Sequence, residues 1–96
     1  MAKLRRIVLD VLKPIKDPSI IDIALELSRL KGIEAVNITV NEMDVETLSL
    51  TVVIEGDNID FSKVKSTLES VGAAIHSIDQ VVAGNKIIEI PMKTEE

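Results

Sequence analysis

Three carboxylates stand at alternate positions of one short stretch of the sequence, at Glu42, Asp44 and Glu46. The stretch lies between residues 36–40 and residues 48–54, where apolar and polar residues alternate with the two-residue period of a half-buried strand. This pattern predicts a β-hairpin with acidic residues at its turn. Carboxylate oxygens suit a hard divalent cation such as Ca²⁺ or Mg²⁺. Alternatively, they only solvate the hairpin end and protect an edge strand from aggregation.

Two helices and two further strands are predicted on either side of this hairpin. Asp17 and Pro18 predict the start of the first helix, because Asp is a favoured N-cap and proline is tolerated at the first helical position. Gly32 predicts the end of that helix. Asp60 and Gly72 bound the second helix in the same way. The remaining strands are predicted over residues 4–12, ended by Pro14, and over residues 75–82.

The order of elements is strand, helix, strand, strand, helix, strand, and its two halves resemble each other. With right-handed crossovers, this order predicts a ferredoxin-like α+β fold, a four-stranded antiparallel sheet with both helices on one face. We expect a single domain over residues 1–96, with a compact part over 3–90 and a charged tail over 91–96. Residues 86–90 predict a short extra C-terminal strand. It could fold back on the preceding strand as a hairpin or add to the sheet edge of a neighbouring subunit.

This topology brings polar residues from several strands to one end of the sheet. The first two strands run in one direction and the last two in the other, so the ends of the first pair meet the beginnings of the second. The acidic hairpin lies at that end and supplies the predicted metal ligands Glu42, Asp44 and Glu46. The predicted contacts to a ligand beside them are Asp10, Asn37, His76 and Asp79.

His76 is the only histidine, and it is followed by Ser77 and, three residues later, by Asp79. Adjacent strand residues point to opposite faces, so His76 and Ser77 cannot act as the base and nucleophile of a catalytic triad. Two roles remain open for His76, namely a contact to a ligand and a structural hydrogen bond near the end of the second helix. The catalysis that these residues could support is hydrolysis by a water activated on a carboxylate-bound metal.

Composition rules out some function classes and argues against others. The chain has no cysteine, one aromatic residue and a net charge of −5, which argue against thiol chemistry, cysteine-ligated zinc and nucleic-acid binding. No apolar run reaches membrane-spanning length, so we expect a cytoplasmic protein with no membrane partner. The basic residues near the start of the chain are predicted to be solvated charges at strand edges, and these are Lys3, Arg5, Arg6 and Lys13.

The outer face of the predicted sheet is polar but carries few charges. A solvated face is the ordinary state of one side of an antiparallel sheet. Short uncharged side chains interspersed with aliphatic residues would also suit a contact between subunits or a small-molecule site between them. The polar members are Asn37, Thr39, Thr47, Ser49 and Thr51, and the aliphatic members are Val8, Leu12 and Val53.

Three segments, residues 9–14, residues 36–44 and residues 75–84, resemble the archaeal proteins grouped as domain-of-unknown-function family 211. The most specific is Ile-His-Ser-Ile-Asp before Val-Val-Ala-Gly, and the resemblance covers nearly all of residues 3–90. It implies a ferredoxin-like fold and a homo-oligomer, in the form of a ring, but no established activity. The family's characteristic polar positions match Asp10, Asn37, Glu42, Asp44, His76 and Asp79.

Three functions follow from these observations. The first is a non-enzymatic homo-oligomeric binding or regulatory module that holds a divalent cation or a small metabolite. The second is a structural or protein-interaction module without a ligand. The third is a metal-assisted hydrolase.

Overall fold

The computed structural model describes residues 2–91. Only Pro91 of the predicted charged tail falls within this range, and the rest of the tail lies outside the described residues. The predicted order of strands and helices is confirmed. The elements are β1 (Leu4–Pro14), α1 (Ile20–Ser28), β2 (Ile33–Met43), β3 (Thr47–Gly56), α2 (Phe61–Ser70) and β4 (Ala74–Ala83).

The four strands form one antiparallel sheet in the order β2-β3-β1-β4. Alternate residues of β1, namely Ile7, Leu9 and Val11, are at most 1% exposed and point to one face. Both helices contribute to the same core cluster, for example through Leu27 of α1 and Leu68 of α2. The predicted ferredoxin-like arrangement, with both helices on one face, is therefore confirmed. Over residues 2–91, neither helix is long and apolar enough to cross a membrane.

The second helix begins as predicted, but the first begins later. The Asp60 carboxylate accepts hydrogen bonds from the backbone N–H groups of Ser62 and Lys63, as an N-cap does. In α1 the N-cap is Ser19, whose Oγ accepts from Asp22 N at 3.2 Å. The prediction that Asp17 is the cap and Pro18 the first helical residue is wrong. Ser19 is equally suited to capping by chemistry, and it leaves both residues in the loop.

Gly32 ends the loop after α1 at a point where no other residue would fit. Its φ is +89°, in the left-handed region, and a Cβ there would collide with the carbonyl of Asn58. Its own carbonyl oxygen accepts from Asp57 N at 3.0 Å. This glycine therefore joins the start of β2 to the turn that follows β3.

The C-terminal segment does not form the predicted hairpin. Gly84 has a φ of +128° and donates its N–H to Lys3 O at 2.8 Å, and no strand is formed over residues 84–91. The segment is held by a side chain instead, because Glu89 bonds to Arg6. The prediction of an extra strand within this chain is thus wrong, whereas strand addition to a neighbouring subunit stays a prediction.

Candidate functional site

Asp10, Asn37 and Glu42 lie on the sheet face that the helices do not cover, which we call the open face. Residues paired across neighbouring strands point to the same side, so the strand register defines four rows on this face. From one end of the sheet to the other, the rows are Ala35-Glu55-Arg6-Val82, Asn37-Val53-Val8-Gln80, Thr39-Thr51-Asp10-Ser77 and Glu42-Ser49-Leu12-Ala74.

Asp10 lies in the third row, at the centre of the open face. Its partners across the sheet are Thr51 on β3 and Ser77 on β4, and it is half-buried. Ser49 Oγ lies 3.5 Å from Asp10 Oδ1, at the long limit of a hydrogen bond. Asn37 lies one row away on the edge strand β2, and its Oδ1 accepts from Thr39 Oγ1 at 2.7 Å. The centre of the face thus presents hydroxyl and amide groups around one carboxylate.

His76 and Asp79 both stand at irregularities of the edge strand β4. At each irregularity β4 advances by two residues while β1 advances by one, first from Gln80 to Ile78 and then from Ser77 to Ile75. Asp79 and His76 are therefore the extra residues of β4, without a partner on β1. Such extra residues of a β-bulge re-aim the neighbouring side chains. Asp79 Oδ1 accepts from Ser77 Oγ at 2.7 Å, which links it to the third row. His76 is exposed.

The three acidic residues of the hairpin are exposed, but they do not face one pocket. Glu42 and Asp44 line a shallow pocket of about 140 Å³ together with Leu12, Thr47 and Ser49. Glu46 lines a different pocket, against the loop after β1, where its carbonyl oxygen accepts from Ile15 N at 2.9 Å. Residues 2–91 of one chain contain no group of three or more His, Asp or Glu residues placed to hold a metal ion. One copy therefore offers two of the predicted metal ligands at one place.

Exposed apolar side chains lie at the same end of the sheet as these carboxylates. Val45 is 89% exposed and Met43 is 70% exposed, and both alternate with the acidic residues along the hairpin. Ile15 and Leu12 are also exposed at this end of the sheet. We call Leu12, Ile15, Met43 and Val45 the hairpin patch. The apolar character of this patch was not predicted, although Met43 and Val45 alternate with the carboxylates in the sequence.

A second charged cluster, which sequence reasoning also missed, lies at the other end of the open face. Arg6 donates from Nε to Glu55 Oε2 at 2.7 Å and, through both terminal nitrogens, to Glu89 at 2.8 and 2.6 Å. A fourth contact joins Arg6 Nη1 to Gln80 Oε1 at 3.2 Å. The bonds to Glu89 and then Glu55 raise the pKa of Arg6, and the same bonds lower the pKa of Glu89. We call Arg6 with Glu55, Gln80 and Glu89 the arginine clasp.

The prediction that the basic residues are solvated edge charges is wrong for Arg6 and Lys13. The Arg6 side chain is only 15% exposed, and Lys13 is 2% exposed on the helix-covered face. Lys13 Nζ donates to the carbonyl oxygens of Pro14, at 2.9 Å, and Lys16. A buried ammonium group must be hydrogen-bonded, and the loop after β1 turns back to supply these acceptors.

Comparison with known proteins agrees with the family resemblance seen in the sequence. Residues 5–96 match the model of domain-of-unknown-function family 211, described as an uncharacterised ArCR family. An uncharacterised protein of Methanocaldococcus jannaschii is 56% identical over 89 residues, which cover 93% of this chain and 91% of that protein. The chain belongs to domain-of-unknown-function family 211.

Proposed function

We propose that this member of domain-of-unknown-function family 211 is a non-enzymatic homo-oligomeric binding module. In this proposal, the hairpin patches of neighbouring subunits meet in a closed ring and bring acidic residues of two copies together around Ca²⁺ or Mg²⁺. The carrying observation is that exposed aliphatic residues alternate with exposed carboxylates over residues 42–46. A cytoplasmic location stays a prediction.

The aliphatic half of this alternation supports assembly. Exposed apolar residues that lie together among polar ones mark interaction sites on soluble proteins, and Ile15 and Val45 line one pocket at this end of the sheet. Val45 and Met43 expose most of their side chains at the outermost part of the sheet, where contact with a second copy would remove them from water. Burial of such side chains contributes about 25 cal/mol for each Å² of apolar surface. The patch is therefore suited to a contact between subunits.

The acidic half supports a cation at the same contact. Ca²⁺ takes six to eight oxygen ligands, more than the pair Glu42 and Asp44 supplies in one chain. A neighbouring copy would add carboxylates, including Glu46, to that pair. Carboxylates brought together without a cation repel one another and lose hydration. In this arrangement, assembly and cation binding reinforce each other.

A small metabolite would find its contacts on the open face beside the hairpin. Asp10, Asn37 and Asp79 present hydrogen-bond acceptors next to serine and threonine hydroxyl groups. His76 is exposed on β4, the edge strand that also carries Asp79. The alternative of an interaction module without a ligand is supported by the apolar hairpin patch alone. A metal-assisted hydrolase would need the same hairpin cation, so a protein without bound ions in the test below would contradict the hydrolase as well.

Native mass spectrometry before and after treatment with a chelator tests the proposal. We expect a closed oligomer that carries a fixed number of Ca²⁺ or Mg²⁺ ions per subunit, which the chelator removes. The variant Asp44→Asn with Glu46→Gln should lose the bound ions. The matched control is Glu34→Gln with Glu69→Gln, which removes two exposed carboxylates elsewhere and should retain the ions. An oligomer of the unaltered protein without bound ions would support the ligand-free module, and a monomer would contradict the proposal.

A further inference from the structure

Val82 is buried although it lies on the open face, opposite the core that packs against the helices. It pairs with Arg6 in the first row of the open face, away from both helices, and yet it is 7% exposed. It is not a member of the core cluster formed with the helices. Some other part of the chain must therefore cover it.

The covering part is the segment over residues 86–91, which we call the strap. A groove of about 410 Å³ is lined on one side by the end of β4 and on the other by the strap, from Ile88 to Pro91. Val82 is among the β4 residues that line this groove. The strap thus lies beside the open face at its Arg6 end without adding a strand to the sheet.

A polar contact holds the outer part of the strap in place, whereas Ile87 at its start is half-buried. Ile88 and Ile90 remain 67% and 77% exposed, so they contribute little burial. Glu89 lies between them, and its carboxylate receives two bonds from the Arg6 guanidinium. Paired bonds of this kind are directional and are stronger than those between neutral groups. Closure of the outer part of the strap, over residues 88–91, therefore depends on the ion pair between Arg6 and Glu89.

We propose that the strap is a displaceable segment occupying, within the chain, a binding site for an extended peptide that carries a carboxylate between aliphatic residues. The strap itself has this chemistry, because Glu89 lies between Ile88 and Ile90. The site consists of the Arg6 guanidinium, the Gln80 amide and the groove beside Val82. β4 is an edge strand, which gives an extended partner a backbone to pair with once the strap has left.

The first test asks whether the ion pair holds the strap. We expect Glu89→Gln to increase the rate of tryptic cleavage after Lys86 several-fold and to lower the ¹⁵N heteronuclear NOE of residues 87–90. Arg6→Lys, which keeps the charge but loses the paired geometry, should give an intermediate rate. Glu69→Gln on α2 is the matched control and should behave as the unaltered protein. An unchanged cleavage rate in Glu89→Gln would overturn the proposal.

The second test asks whether the vacated site binds a peptide. The probe is a synthetic peptide with the sequence of residues 85–91, followed by chemical-shift changes in the ¹⁵N-labelled full chain. The tethered strap has a high effective concentration, so the peptide should bind several-fold more tightly to Glu89→Gln than to the unaltered protein. It should not bind to Arg6→Gln, and the same peptide with Gln in place of Glu should bind to neither. Equal binding to Arg6→Gln and Glu89→Gln, or no binding to Glu89→Gln, would overturn the assignment of a peptide site.

Discussion

The two ends of the open face treat their carboxylates in opposite ways. At the arginine clasp, Glu55 and Glu89 share one guanidinium of the same chain at hydrogen-bonding distance. At the hairpin end, Glu42, Asp44 and Glu46 are exposed among aliphatic side chains, and no ion pair within residues 2–91 includes them. The clasp is complete within one chain, whereas the hairpin end has the composition of a surface completed by something outside it.

The largest effect should come from a charge placed in the hairpin patch. Val45→Glu adds a fourth carboxylate at a side chain that is 89% exposed. A charge there cannot enter an apolar contact without a large loss of hydration, so we expect complete dissociation to monomers in size-exclusion chromatography with light scattering. Because Val45 is exposed in the monomer, the far-UV circular dichroism spectrum should not change.

Ile88→Glu is the matched control for this variant. Ile88 is also an exposed aliphatic residue, 67% accessible, but it lies beside the arginine clasp. Its replacement should leave the oligomer intact. If both variants dissociate, or if neither does, the two ends of the face do not differ in the way proposed.

Cation binding should distinguish the two ends in stability as well. A ligand at a hundredfold excess over its dissociation constant stabilises the folded state by about 2.7 kcal/mol. We therefore expect Ca²⁺ to raise the melting temperature of the unaltered protein and of Glu89→Gln, but not that of Asp44→Asn with Glu46→Gln. Differential scanning calorimetry at fixed protein concentration measures this effect. An equal rise in all three proteins would place the cation away from the hairpin.

A smaller effect is expected when the clasp loses its cation. Arg6→Met keeps much of the aliphatic stem but leaves Glu55 and Glu89 next to each other without their shared partner. Arg6→Met should lower the urea midpoint of unfolding more than Glu89→Gln does, since Glu89→Gln leaves Arg6 paired with Glu55. The reverse order would show that the strap, rather than the clasp, stabilises this end of the sheet.

The contrast between the two ends was only half visible in the sequence. The hydrophobic periods predicted the strands and the helices, because the burial of aliphatic faces determines them. Their order along the chain then predicted the ferredoxin-like arrangement. The alternation over residues 36–54 also placed the acidic hairpin at the correct end. The start of α1 was misplaced because Asp17 and Ser19 both have capping chemistry, and which of them serves depends on the path of the loop.

The clasp could not be predicted because its members are far apart in the chain. Arg6 meets Glu55 and Glu89 only after β3 has paired with β1 and the chain has turned at Gly84. The bulges at His76 and Asp79 likewise depend on how β4 pairs with the twisted strand β1. A strict two-residue alternation in the sequence does not predict them. Predictions from residue spacing were correct for features formed by neighbours in the sequence. They failed for contacts that depend on the register between strands.

The smallest effect concerns the pH dependence of the clasp. The bonds from Arg6 lower the pKa of Glu89 below that of a free glutamate. The closed strap therefore gains its full stabilisation above the ordinary carboxyl pKa and loses it as the pH falls through the lowered value, when Glu89 becomes protonated. The methyl resonances of Ile88 and Ile90 should report this opening as a single titration step.

Glu89→Gln is the control for the titration, because it removes the titrating group. In that variant, the same methyl resonances should already have their open-state positions at neutral pH and should show no step. The other described carboxyl with a lowered pKa is Asp60, whose largest cause is the hydrogen bond from Ser62 at the start of α2. Acid should therefore also weaken α2, but that change should persist in Glu89→Gln. If the methyl resonances of Ile88 and Ile90 still titrate in Glu89→Gln, the opening of the strap is caused by the helix cap at Asp60. The two ends of the open face would then not differ in their response to pH.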